Sequence, residues 1–271
     1  MTASFVALAR AVASARPMTT PALHDVAALR LLPWGAEHLV PKSLVGQTFA
    51  RAASLGLVDH IALRSTAIDE ALAAGFAQLV ILGAGLDARA YRLSSLADTR
   101  VIEVDHPASQ AAKLARVGDL VPMCRSIHHL AVDFGTEDLE RKLEAGGHDA
   151  SATTAWIVEG VTMYLPATAT ERLIEVVAMR SSPGSLLAMT YMRPPLHPLP
   201  PLALMLGNVV LERFGEPLGA SFTPEEIAER LRRADLTPRS DTCAVDWAGR
   251  FGASATMARA FRGERLVIAT R

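Results

Sequence analysis

Cysteine is almost missing from this chain. Cys124 and Cys243 are the only two, they stand far apart, and neither belongs to a metal or redox motif. No cysteine-based metal or redox site is therefore available, and a reduced, cytoplasmic setting is the default expectation. An excess of one charge is missing too. The formal net charge is -1, so nothing marks the chain for nucleic acid, and it has no acidic tail. Long uncharged apolar runs are also lacking. None approaches the ~20 residues a membrane helix needs. The first 24 residues contain no acid and carry Arg10 and Arg16, a composition shared with targeting segments. Arg10 interrupts the apolar run, however, and no long h-region follows, which argues against a secretory signal. Internal repeats, low-complexity tracts and a second-domain linker are absent.

What remains is a chain of 271 residues, 50% hydrophobic and 20% charged. That is enough to bury the core of one large α/β domain. The chain is organised around residues 79 to 105. Leu79-Val80-Ile81-Leu82 is a short apolar run that reads as a buried parallel strand. Gly83 and Gly85 follow, and without a Cβ they permit a tight turn and close approach to a ligand. The next turn is expected to open a helix, whose free N–H groups favour an electron-rich ligand group. A second strand, Val101 to Asp105, ends in two acids, Glu103 and Asp105. A carboxylate at that tip can accept hydrogen bonds from both hydroxyls of a ribose. Gly83, Gly85 and Ala88 fit a G-x-G-x-x-G/A fingerprint, and Glu103 lies at the expected spacing of about 20 residues. The unit reads as a nucleoside-cofactor site, with NAD and S-adenosylmethionine both open.

Residues 1–75 read as a mostly helical lid or wall, with helices near 3–15, 25–32, 44–57 and 59–74. Pro17, Pro21, Pro33 and Pro41 punctuate them. Residues 76–271 form the core, one compact domain overall. Its strands are expected at 78–83, 100–105, 127–132, 155–160, 185–191, 237–244 and 264–270, alternating with helices as in a doubly wound parallel sheet. Right-handed crossovers bring the carboxyl ends of such strands to one edge. Asp105, Asp133 and Glu159 would then converge beside Gly83. Arg64 on its own reads as a solvated helix charge near Asp69. Residues 193–201 hold five prolines and lead into an apolar segment, 201–211, too short to span a bilayer. Thr223-Pro224-Glu225-Glu226 is a capping box.

Five stretches carry a resemblance. They are Arg64 to Asp69, Gln78 to Leu93, Glu103-Val104-Asp105-His106-Pro107, Asp133-Phe134, and Glu159-Gly160-Val161-Thr162-Met163-Tyr164-Leu165. Together they resemble the leucine carboxyl methyltransferase family. They are closer still to its bacterial branch, which includes polyketide O-methyltransferases and many S-adenosylmethionine-dependent enzymes. The resemblance runs from about residue 60 to residue 166. It implies a Rossmann-like class I methyltransferase sheet, mostly parallel with an antiparallel last strand, and S-adenosylmethionine as cofactor. It also implies roles. Gly83 and Gly85 would line the methionine part, Asp105 the ribose, and Asp133 the adenine amino group with Phe134 beside it. Glu159 would sit by the cofactor's amino group and Arg64 by its carboxylate. Ala88 departs from the pattern, where threonine or serine is more usual.

The expected activity is methyl transfer to a carboxylate or phenolic oxygen of a small, apolar acceptor. No metal, nucleic-acid or membrane partner is expected, and no residue is assigned as catalytic. His24, His38, His106 and Tyr164 could reach the site, but none stands in a motif that fixes a role. An NAD(P)-dependent oxidoreductase would explain the glycine turn but not the Glu159 segment. The Tyr-x-x-x-Lys pair of short-chain dehydrogenases is absent. A non-catalytic cofactor-binding module is the third reading.

Overall fold

The computed structural model describes residues 2–15, 23–194, 219–253 and 259–271. Four central strands set the frame. β1 (Gln78–Leu82) and β4 (Thr154–Val158) are buried along their whole length. β2 (Arg100–Asp105) and β5 (Leu186–Met192) are buried except at their ends. Strands covered on both faces need mostly apolar side chains on both, so β1, β4 and β5 read as near-continuous apolar runs, while β2 carries the buried Glu103. β3 (Ser126–Ala131), β6 (Thr237–Cys243) and β7 (Glu264–Thr270) complete a seven-stranded sheet in the order β3-β2-β1-β4-β5-β7-β6. β1 pairs in parallel with β2 and β4. β7 alone runs against its neighbours, β5 and β6. This is the mostly parallel class I methyltransferase sheet that the resemblance implied. Pro238 falls on β6, an edge strand, next to a register shift before Ser240, where its missing N–H costs least.

Alternating side chains build a core on each face. Leu79, Ile81 and Val101 pack against α1 (Thr2–Ala15), α2 (Val26–Leu31) and α4 (Leu57–Leu72) of the helical leader, and against α10 (Ala244–Phe251). Val80, Leu82, Ile102 and Val104 pack against α7 (Leu139–Ala145), α8 (Ala167–Met179) and α9 (Pro224–Arg233). The leader therefore supplies one face of the core. The remaining α-helices among the described residues are α3 (Leu44–Ala53), α5 (Arg89–Arg92) and α6 (Pro107–Val117). Thr223 and Glu226 form the expected capping box at α9. The apolar 201–211 segment and most of the proline-rich 193–201 stretch lie outside the described residues, as do Pro17 and Pro21.

One expectation fails. The glycine turn does not open a sustained helix, because α5 is a single turn. The loop is held by charge instead. Asp87 accepts a hydrogen bond from the Arg89 backbone N–H at 2.7 Å and pairs with the Arg89 guanidinium. A one-turn helix has little aligned dipole, so ligand binding at a helix terminus is not available here. Finally, because β7 is reversed, its first residue, Glu264, pairs with Met192 at the end of β5. That puts Glu264 at the same sheet edge as Asp105 and Glu159.

Candidate active site

The site begins where β1 stops. Gly83 and Ala84 both donate to Val104 O, at 2.8 and 3.0 Å, which bends the chain over the end of β2. Gly83 has φ of +72° and Gly85 of +48°, left-handed values that β-carbons disfavour. A Cβ on Gly83 would fall 2.4 Å from Val161 Cγ2. The glycine is therefore required twice, once for its backbone and once for space.

Asp105 ends β2 facing this turn. One carboxylate oxygen accepts the Gly85 N–H, and the other accepts the His106 N–H at 2.7 Å. Asp133 lies just past β3. Its oxygens accept the Gly135 N–H and the Thr136 hydroxyl, both at 2.9 Å. These two hydrogen bonds hold its carboxyl below the usual range. Glu159 lies just past β4, in a turn anchored by a 2.8 Å bond from Gly160 N–H to Thr190 Oγ1.

Behind these acids lies a buried charge network. Arg64, on α4, donates from Nε to Glu159 Oε1 at 2.9 Å and from Nη1 to Glu264 Oε1 at 2.7 Å. Arg89 lies 2.8 Å from Glu159 Oε2 and 2.8 Å from Asp69 Oδ1. Arg92 pairs with Asp69 at 2.7 Å. From α1, Arg10 pairs with Asp25 at 3.2 Å and donates to Leu86 O at 2.5 Å. Burial alone would raise the Glu159 carboxyl, but Arg89, Arg64 and Arg10 outweigh it and hold it far below the usual range. Arg64 is moved the other way. Burial would lower it, yet Glu264 and Glu159 raise it.

These elements enclose a cavity of about 730 Å³, within the size range of small-molecule sites. Arg64, Gly83, Gly85, Asp105, Asp133, Phe134 and Glu159 all line it. The seven residues singled out from the sequence are thus brought together. Ala3, Val6 and Arg10 of α1 form part of the wall, and Val161, Met163 and Leu165 make an apolar side.

Some expectations need correction. Arg64 is not a solvated helix charge near Asp69. It is buried between two glutamates, and Asp69 serves Arg89 and Arg92. Glu103 has the fingerprint spacing but does not line the cavity. It is fully buried and paired with Lys113 at 2.5 Å. Two residues further on, Asp105 reaches the edge that Glu103 does not. His106 and Tyr164 line the cavity, whereas His24 is exposed and His38 lies in an exposed turn beside Glu37.

Sequence reasoning missed Arg10, His60 and Glu264 and gave Arg89 no separate role. A cation interrupting the apolar face of α1 was the one available signal for Arg10. Nothing local marks Glu264. Among the described residues, no group of three or more His, Cys, Asp or Glu is placed to hold a metal, and no helix is long and apolar enough to cross a membrane.

Known proteins resemble this chain in sequence and in fold. A protein from Mycolicibacterium vanbaalenii named "Putative S-adenosyl-L-methionine-dependent methyltransferase" is 36% identical over 202 residues, 70% of this chain and 65% of its own length. A Mycobacterium avium protein of the same name is 37% identical over 206 residues, with coverages of 69% and 65%. The chain thus spans 65% of the length of these curated relatives. Among solved structures, a DUF574 family protein from Streptomyces avermitilis superposes with a TM-score of 0.59 at 15% identity, covering 89% of this chain and 92% of its own. A Thermobifida fusca protein described as a "putative methyltransferase" superposes at 0.55 and 19% identity, covering 95% and 96%. At these identities the two structures establish the fold alone. The model of the family described as leucine carboxyl methyltransferase matches residues 3–178, from α1, whose Arg10 lines the cavity, through α8, and the chain belongs to that family.

Proposed function

We propose that this protein is an S-adenosylmethionine-dependent O-methyltransferase acting on a carboxylate or phenolic hydroxyl of a small, apolar acceptor. The observation that carries this reading is the convergence of Asp105, Asp133, Glu159 and Arg64 with Gly83 on one cavity.

The residues suit the cofactor. Gly83 and Gly85 line the cavity in left-handed backbone conformations that β-carbons disfavour. Glu159 lines the cavity as a carboxylate held between Arg64 and Arg89, and it would accept from an ammonium group. Asp105 would hold the ribose hydroxyls and Asp133 the adenine amino group, with Phe134 against the ring. Arg64 would face the carboxylate, with Arg10 as a second guanidinium on the same wall. When bound, S-adenosylmethionine supplies an activated methyl group on a sulfonium sulfur.

The chain's own task is then to orient. Alignment of the acceptor oxygen alone can be worth an effective molarity of ~10⁵–10⁸ M. A carboxylate acceptor is already ionised at neutral pH and needs no base. A phenol would benefit from one, and His106 and Tyr164 both line the cavity as groups able to move a proton. Val6, Val161, Met163 and Leu165 exclude water and favour an apolar acceptor. In this reading the leader, residues 1–75, walls the cavity, and residues 76–271 form the cofactor-binding core.

Isothermal titration tests the reading. S-adenosylhomocysteine and S-adenosylmethionine should both bind, and no binding of either at millimolar concentration overturns it. A screen of aromatic and fatty acids with labelled methyl donor, with mass detection of esters against ethers, then identifies the acceptor class.

A further inference from the structure

Arg64 lines the cavity with a carboxylate on either side of its guanidinium. Its Nε edge meets Glu159, which lines the cavity, and its Nη1 meets Glu264, which does not. Glu264 in turn has a second partner on its far side, since His60 Nε2 lies 2.5 Å from its Oε2. The His60 ring is fixed by stacking on Phe261, with centroids 4.7 Å apart, and by Trp247 at 5.8 Å. All three members of this line, His60, Glu264 and Arg64, are buried. They come from α4 and from the first residue of β7, about 200 positions apart in the chain.

We infer that Glu264 is a positioning residue for the cofactor site and that His60 orients it. Resting on the function proposed above, the line His60–Glu264–Arg64–Glu159 fixes the guanidinium and carboxylate that would meet the charged amino-acid end of the cofactor. The physical reason is that carboxylates on two edges of a buried guanidinium fix its orientation and satisfy donors that burial would otherwise strand. Glu159 alone cannot do this, because it is shared with Arg89. Burial would raise the Glu264 carboxyl, but Arg64 and then His60 outweigh it and keep it ionised as a fixed acceptor. The reversal of β7 is what delivers a carboxylate to this spot, at the end of the sheet where parallel strands finish.

The test uses the full chain and S-adenosylhomocysteine titrated calorimetrically into the wild type, Glu264→Gln, His60→Leu and His60→Gln, with a melting curve for each. Glu264→Gln keeps the shape and loses the charge, and affinity should fall about tenfold or more, as expected for losing a hydrogen bond between charged groups. His60→Leu should weaken binding in the same direction. His60→Gln, which retains an N–H donor, should restore it. Should Glu264→Gln fail to fold, the His60 pair decides, since a purely structural role predicts that affinity ignores whether residue 60 donates. Unchanged affinity in Glu264→Gln, or equal affinity in the two His60 variants, overturns the inference while leaving the methyltransferase reading intact. Failure of the wild type to bind overturns both.

Discussion

Gly83 and Val161 stand so close that a β-carbon built on the glycine falls 2.4 Å from Val161 Cγ2. The contact locks the turn after β1 to the turn after β4, the two segments that carry the strongest family motifs. Gly83→Ala should be destabilising by two separable routes. The left-handed backbone, with φ of +72°, costs about 1–2 kcal/mol for a residue with a β-carbon. Overpacking against Val161 adds roughly 1–3 kcal/mol. Adding Val161→Ala to Gly83→Ala should recover the second part and not the first, as read from urea unfolding. Full recovery would mean the backbone conformation carries no cost.

Glu159 makes the protein sensitive to acid. Its carboxyl lies below its ordinary value in the folded chain because Arg89, Arg64 and Arg10 overcome the effect of burial. A depressed carboxyl contributes stability that is complete above the unfolded value, ~4.3, and drains away as pH falls through the folded value. Glu159→Gln should therefore cost ~3–5 kcal/mol at pH 7, the usual consequence of breaking a buried pair. The gap between wild type and variant should narrow progressively below about pH 4. A gap that stays constant from pH 7 to pH 3 would show that the ion pairs contribute nothing.

Asp105 offers its carboxylate to Gly85 and His106 N–H groups and to the cavity. Asp105→Ala should weaken S-adenosylhomocysteine binding by ~1.5–3 kcal/mol, the worth of hydrogen bonds to a charged acceptor. Calorimetric titration reads this directly, and an unchanged affinity would put the ribose elsewhere.

Glu103 and Lys113 are both fully buried and 2.5 Å apart, away from the cavity. Lys113→Met should cost ~3–5 kcal/mol because it strands a buried carboxylate. Combining it with Glu103→Leu should recover most of that loss. A double-mutant cycle in denaturant checks it, and strictly additive costs would deny the coupling.

The strands were legible almost to the residue. Expected segments 78–83, 100–105 and 264–270 became Gln78–Leu82, Arg100–Asp105 and Glu264–Thr270. Buried strands announce themselves by runs rich in apolar and β-branched residues, and glycine and proline mark where they stop. The helix after Gly85 was misread, because its local pattern resembles a helix start while the Asp87–Arg89 pairing holds a loop. Arg64 was the opposite case. Beside Asp69 on one helix it reads as a surface charge, yet its partners lie 95 and 200 positions away.

The sequence by itself determined where the strands lie along the chain and which acids stand at their ends, because hydrophobic period and glycine placement are local properties of the chain. It could also assign the family, since the motifs around Gly83 and Glu159 stand in linear order, with Ala88 as the departure from their pattern. Only the tertiary structure decided which charge meets which. It sent Glu103 into the core and Asp105 to the cavity, and through the reversed β7 it set Glu264 behind Arg64. The reason is that Coulomb attraction and desolvation depend on distance and burial in space, and neither can be read from separation along the chain.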